Sequence, residues 1–210
     1  MIIMVDTSKF QIIASRIEQR LIELDSIREE IIKLSRKVVR NAGQSIENLH
    51  NKNFEQSKEK LLIAKDSLSE VNNYLKKEAT FQQIGIIGVA MQEYAEAKLL
   101  YELIMNNKLL SFEEIGINEQ SYILGIADLI GELRRFILEK LVEGQTDEAK
   151  KFYEIMKKLY GTFLQIDYGK NLISEFRRKK DTARVLVERT LSDLFVAVQG
   201  KKLEEKLKGE

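Results

Sequence analysis

Two pairs of acidic residues stand in segments that otherwise carry no charge. Between Phe81 and Ala97 the only charged residues are Glu93 and Glu96, set among Ile84, Ile86, Ile87, Val89 and Met91. Between Ser121 and Leu133 they are Asp128 and Glu132, among Tyr122, Ile123, Leu124, Ile126, Leu129 and Ile130. Successive residues of an α-helix advance about 100°, so an i, i+3 pair and an i, i+4 pair each put two carboxylates on one face. If the two faces meet, four anions gather in an apolar setting. Protonation, a basic partner or a bound cation must then offset the cost. Oxygen-only ligation suits a hard divalent ion, Mg²⁺ or Mn²⁺, of the kind that meets substrate phosphates. The competing explanation is that basic neighbours, Arg135 among them, pair with the acids and only fasten helices.

The elements that must position these acids read as long helices. Ile12, Ile13, Ile17, Leu21, Leu24, Ile27, Ile31, Leu34 and Val38 recur at three- and four-residue steps, which predicts a first helix from about Ser8 to His50. Asn53 with Gln56 resembles a capping box and opens a second helix to about Glu78; a third spans about Phe81 to Asn106. Ser111 with Glu114 forms another capping box before a short turn ending at Gly116. Further helices follow over about Glu119–Glu143, Thr146–Gln165 and, after Gly169, to about Gly200, with a charged tail from Lys201 to Glu210 expected to fray. No strand pattern is present. The expected fold is all-α: one domain over residues 1–210, an elongated antiparallel bundle of about six long helices. Glycine inside a helix costs about 1 kcal/mol relative to alanine. Gly85, Gly88, Gly125 and Gly131 fall near the two acidic stripes and are expected to let the helices approach.

Composition removes several chemistries. The chain has no cysteine, so it has no disulfide, thiolate metal site or cysteine nucleophile. A single histidine, His50, excludes any site that needs two imidazoles from one chain. Glu47 and His50 have the Glu-x-x-His spacing of di-iron helix bundles, but it occurs once, at what reads as a solvated helix end. The net charge is +1, so any polyanion must be met locally. Between Lys170 and Lys180 there are five bases and one acid, Glu175; the run Arg177-Arg178-Lys179-Lys180 is either a solvated face or a phosphate contact. Nothing approaches the roughly 20 apolar residues of a membrane span. Met1–Asp6 lacks a basic leader, so a cytoplasmic, untargeted protein with no membrane partner is expected.

The stretches Gln92-Glu93-Tyr94-Ala95-Glu96-Ala97 and Tyr122-Ile123-Leu124-Gly125-Ile126-Ala127-Asp128-Leu129-Ile130-Gly131-Glu132-Leu133 resemble the two acidic motifs of TRAX, the translin-associated factor X branch of the translin family. Leu34-Ser35-Arg36 and Tyr160-Gly161-Thr162-Phe163 also look like family positions. The resemblance covers nearly the whole chain and is closest to the archaeal TRAX-like kind. It implies the translin fold, closed octamer-like shells and divalent-metal-dependent endoribonuclease activity on single-stranded RNA. It also implies that Glu93, Glu96, Asp128 and Glu132 are the catalytic acids. Where translin has a basic, histidine-containing stretch this chain has Phe81-Gln82-Gln83, so the expected RNA contacts are Arg36, Arg40, Arg177 and Arg178.

A mechanism follows from the residue types. Carboxylates hold Mg²⁺ or Mn²⁺, which polarises the scissile phosphate and acidifies a water, and a free carboxylate takes the water's proton. One isolated histidine cannot supply a cyclising acid/base pair, so 5′-phosphate and 3′-hydroxyl ends are expected. The long first and last helices are apolar over more surface than one small domain covers, which points to a homo-oligomer, an octamer being expected. The alternatives are a non-catalytic RNA-binding shell with structural acids, and a di-iron carboxylate protein.

Overall fold

The computed structural model describes residues 8–166 and 175–208, and every regular element among them is helical. In chain order these are α1 (Ser8–His50), α2 (Phe54–Lys77), a 3-10 turn (Ala79–Gln83), α3 (Gly85–Asn106), the short α4 (Phe112–Ile115), α5 (Glu119–Val142), α6 (Thr146–Gln165) and α7 (Phe176–Lys208). The expected all-α bundle is therefore what forms. Gly169, Lys170, the Met1–Asp6 start and the last two residues lie outside the described residues.

The packing divides into two halves. α1 packs on α2 and α3; α5 packs on α6 and α7, which also touch each other; α3 against α5 is the seam. Ile31, Val38, Ala64, Val71, Leu99, Leu129, Ile130, Leu133, Ile137 and Met156 are fully buried across both halves. A tie at the α1–α2 end is polar: the Ser45 hydroxyl donates to Ser57 O and the Ser57 hydroxyl to Ser45 O, both at 2.9 Å, which small side chains and closely approached helices permit.

Three boundaries differ from expectation for local reasons. The capping box at Asn53 and Gln56 does not form, because the backbone closes the turn: Lys52 adopts φ 61° and Asn53 N–H donates to Asn48 O at 2.8 Å. The third helix begins at Gly85 rather than Phe81, since buried Phe81 anchors the 3-10 turn and its carbonyl accepts from Ile84 N–H at 3.0 Å. α7 runs past Gly200 to Lys208, where lysines, glutamates and leucines sustain a helix and no proline stops it. The Ser111–Glu114 capping box is present with both of its bonds, and Gly116 follows at φ 81°.

The long apolar stripe of α1 splits in two. From Ile31 to Leu49 it lies in the core, but Phe10, Ile17 and Leu21 are 70%, 54% and 59% exposed. α7 likewise leaves Phe195, Val196, Leu203 and Leu207 exposed.

Candidate functional site: a carboxylate cluster at the α3–α5 seam

The acids meet because one glycine brings two backbones together. A Cβ built on Gly125 would lie 2.8 Å from Ala95 Cβ, 3.0 Å from Gln92 O and 3.3 Å from Glu96 N. The backbone of α5 thus rests on the turn of α3 that carries Glu93 and Glu96. The other glycines were expected to share this role and do not. Gly131 would meet only Leu186 Cδ1, at 3.9 Å, and for Gly85 and Gly88 there is no contact within 4 Å among the described residues. Those two line an open cleft of about 1010 Å³ that also reaches Gln92, Ser121 and Leu124, beside the acids.

The two acidic pairs have different surroundings. On α5, Asp128 Oδ2 accepts from Gln92 Nε2 at 2.6 Å and its Oδ1 accepts from Lys179 Nζ in a short ion pair. Glu132 Oε2 accepts from His50 Nε2 at 2.7 Å, with Arg135 Nη1 at 3.8 Å. On α3, no donor among the described residues lies within hydrogen-bond distance of the Glu93 or Glu96 carboxylates. Burial first, then the charges of Asp128, Glu93 and Glu132, push the Glu96 carboxyl up to about 9, with Lys179 opposing. Glu93 is raised by burial and then by Asp128 and Glu132, again against Lys179. These mutual influences place all four predicted acids in one electrostatic cluster.

His50 corrects the expectation of a solvated, isolated histidine. Its side chain is 1% exposed, and its second nitrogen, Nδ1, lies 2.8 Å from Glu139 Oε2. Burial opposes its protonation, but the hydrogen bonds to Glu132 and Glu139 outweigh it and raise the pKa. Glu47 is exposed while His50 turns to α5, so the Glu-x-x-His spacing brings no pair together. His50 sits 82 residues from Glu132, beyond any local pattern; its only sequence signal is its uniqueness.

The basic run splits as well. Phe176 packs on Phe163 at 4.5 Å beside Ala127, and Lys180 donates to Leu164 O and Ile166 O at the end of α6. These contacts fix the start of α7 so that Lys179, three residues after Phe176, lands on Asp128. Arg177 and Arg178 remain exposed, Arg178 near Glu175 at 3.7 Å. Arg36 and Arg40 are exposed on α1, and no described contact ties them to the acids.

Among the described residues no three His, Asp or Glu side chains stand ready to hold a metal ion, and the α5 pair is engaged by Lys179, Gln92 and His50. The chemistry of the four acids nevertheless fits a hard divalent ion: all are carboxylate-oxygen donors, and the buried Glu96 and half-buried Glu93 have no donor among the described residues. Also among the described residues, no helix is long and apolar enough to cross a membrane.

The fold and site define an all-helical protein with an internal carboxylate cluster at the seam of two helical halves. The Translin family model matches residues 26–190, and the chain belongs to that family. It is 37% identical over 189 residues to an uncharacterized protein of Methanocaldococcus jannaschii, covering 88% of this chain and 82% of that one. Among solved structures it is similar to AfC3PO, with TM-score 0.81 and 31% identity over 89% of this chain and 97% of that one. AfC3PO has also been solved in complex with duplex RNA, where the match has TM-score 0.80. Apo-NeC3PO, 24% identical with TM-score 0.80 over 88% of this chain and 96% of that one, shares the fold.

Proposed function

We propose that this protein is a TRAX-type, Mg²⁺- or Mn²⁺-dependent endoribonuclease that cuts single-stranded RNA. The observation that carries the reading is the cluster itself: four carboxylates on two facing helices, of which Glu93 and Glu96 have no donor among the described residues and Glu96 is pushed up to about 9. Helix fastening accounts for Asp128 and Glu132, which have cationic partners, and leaves the α3 pair unexplained. The RNA-bound AfC3PO supports RNA as the ligand class.

Glu93, Glu96, Asp128 and Glu132 would hold the ion, which when bound supplies charge to neutralise the scissile phosphate and acidity to its water. Asp128 is paired with Lys179, so holding the ion would require that pair to be shared or opened. Whichever of these carboxylates is not fully engaged by the ion would accept a proton from the water; Glu93, half-buried and next to the cleft-lining Gln92, is the candidate. His50 is committed on both nitrogens and is not placed to act on a ribose hydroxyl, which supports hydrolysis by an activated water, leaving 5′-phosphate and 3′-hydroxyl ends, as the proposed outcome. Arg36, Arg40, Arg177 and Arg178 remain the proposed strand contacts.

The exposed apolar faces of α1 and α7 support a homo-oligomer, octameric by resemblance; a cytoplasmic setting is part of the same proposal. The test is cleavage of labelled unstructured and duplex RNA by the purified protein. Cutting of the unstructured strand with Mg²⁺, and none in excess EDTA, supports the proposal. Equal cleavage with EDTA defeats it; binding of RNA without cleavage under any divalent ion favours the non-catalytic shell. Because AfC3PO holds duplex RNA, binding and cutting must be measured separately on each substrate.

A further inference from the structure

His50 and Glu139 belong to no acidic motif, yet they form one chain with Glu132. Glu132 and Glu139 lie seven residues apart on α5, two helical turns, so they share a face about 10 Å apart along the axis. The imidazole of His50, at the last residue of α1, fills the space between them: Nε2 to Glu132 Oε2 at 2.7 Å and Nδ1 to Glu139 Oε2 at 2.8 Å. Arg135, on the same face, holds Glu139 Oε1 at 3.4 Å. Glu132 therefore has Oε2 engaged, while its Oε1 has no hydrogen bond among the described residues.

We propose that the Glu139–His50–Glu132 chain is a positioning device, in which Glu139 fixes the imidazole, the imidazole fixes Glu132 through Oε2, and the other Glu132 oxygen is reserved for the divalent ion. The inference rests on the reading of Glu132 as a metal ligand. A glutamate has three side-chain torsions to order before it can bind an ion, and ordering them in advance favours binding. Fastening α1 to the bundle does not require this arrangement. Leu49 is buried at 2% one residue earlier, and the reciprocal Ser45–Ser57 bonds already tie the end of α1. A buried ionisable ring between two carboxylates is a poor fastener compared with an apolar side chain of similar volume. It does determine where a carboxylate points.

The experiment is Mn²⁺ titration of the full-length protein, with free ion followed by electron paramagnetic resonance well below the melting temperature. The variants are Glu132→Gln, His50→Ala, Glu139→Leu and the double His50→Ala/Glu139→Leu. Loss of an outer partner of a metal ligand costs about 10- to 100-fold in affinity, and that is expected for His50→Ala. Glu139→Leu, at a site with 33% side-chain exposure, should fold whatever happens to His50→Ala, and should weaken Mn²⁺ several-fold although its side chain is not a ligand. The double variant should be no weaker than His50→Ala, since both act through one path. Purely structural residues would lower the melting temperature and leave the Mn²⁺ constant unchanged. Wild-type affinity in Glu139→Leu and in any folded His50→Ala, with affinity lost in Glu132→Gln, overturns the positioning role alone. No Mn²⁺ binding by wild type, or none lost in Glu132→Gln, overturns the metal site and this inference with it.

Discussion

Glu93 and Glu96 on α3, and Asp128 and Glu132 on α5, are the same chemistry at nearly the same spacing, but their neighbours divide them. The α5 pair is served by other elements: Lys179 and Gln92 reach Asp128, and His50 reaches Glu132. The α3 pair has no donor among the described residues; burial first, then the repulsion of the neighbouring acids, drives its carboxyls toward the protonated form, and the more distant charge of Lys179 only partly opposes this. Among the described residues one pair has partners and the other has none, which is what the proposed metal site would explain. Helix fastening would satisfy both pairs, and a fully solvated cluster would leave neither strained.

The largest effect should be on chemistry. Glu93→Gln, Glu96→Gln, Asp128→Asn and Glu132→Gln should each lower Mg²⁺-dependent cleavage of single-stranded RNA by about 100-fold or more, since each removes a charge that holds the ion. Single-turnover assays would show it, with RNA binding nearly retained. Full activity in both α3 variants would mean that the unpartnered pair is not the reactive one.

The next effect separates the pairs in the absence of metal. Glu96 has a folded pKa of about 9 against an ordinary value of 4.5. Between those values the folded chain keeps a proton that the unfolded chain has released, so stability in EDTA should fall as pH rises through the window. His50 acts in the same direction: the stability it adds is present below its ordinary 6.5 and is lost as pH climbs through its raised folded value. Melting curves of wild type and Glu96→Gln between about pH 5 and pH 9 isolate Glu96; the variant should lose much of the slope and be the more stable at the alkaline end. Parallel curves would refute the assignment. Asp128→Asn should act oppositely, losing about 1–3 kcal/mol in EDTA because Lys179, with 15% side-chain exposure, is left without its anion. Added Mn²⁺ should raise the wild-type Tm and do little for Glu96→Gln.

The smallest effects concern the glycines. Gly125→Ala should destabilise by about 1–3 kcal/mol, since its new methyl meets Ala95 Cβ at 2.8 Å and backbone atoms that cannot rotate away. Gly88→Ala meets no contact among the described residues and should instead gain about 1 kcal/mol of helix propensity. Thermal melts of the two decide whether the seam depends on Gly125 alone. Destabilisation by Gly88→Ala would restore the idea of several close-contact glycines.

Much of this protein was legible in local sequence. Apolar periodicity located α1, helix start and stop residues such as Gly144 and Thr146 located α5 and α6 within about a residue or two, and the Ser111–Glu114 box formed as read, because helix phase and capping depend on neighbours within a turn or so. The two acidic pairs stood out for the same reason: a charge in an uncharged helical stretch is visible without knowing what packs on it. What surrounds those acids was decided only by tertiary structure. Lys179 is 51 residues from Asp128, and His50 is 82 from Glu132 and 89 from Glu139. Their meeting depends on how the start of α7 and the end of α1 dock on α5, the former beside the Phe176–Phe163 contact, and no periodicity encodes that. The glycines teach the same point. Sequence shows that a side chain is missing at Gly88 and at Gly125, but whether the vacated space is filled by a crossing backbone or opens on a cleft is set by which helix lies opposite.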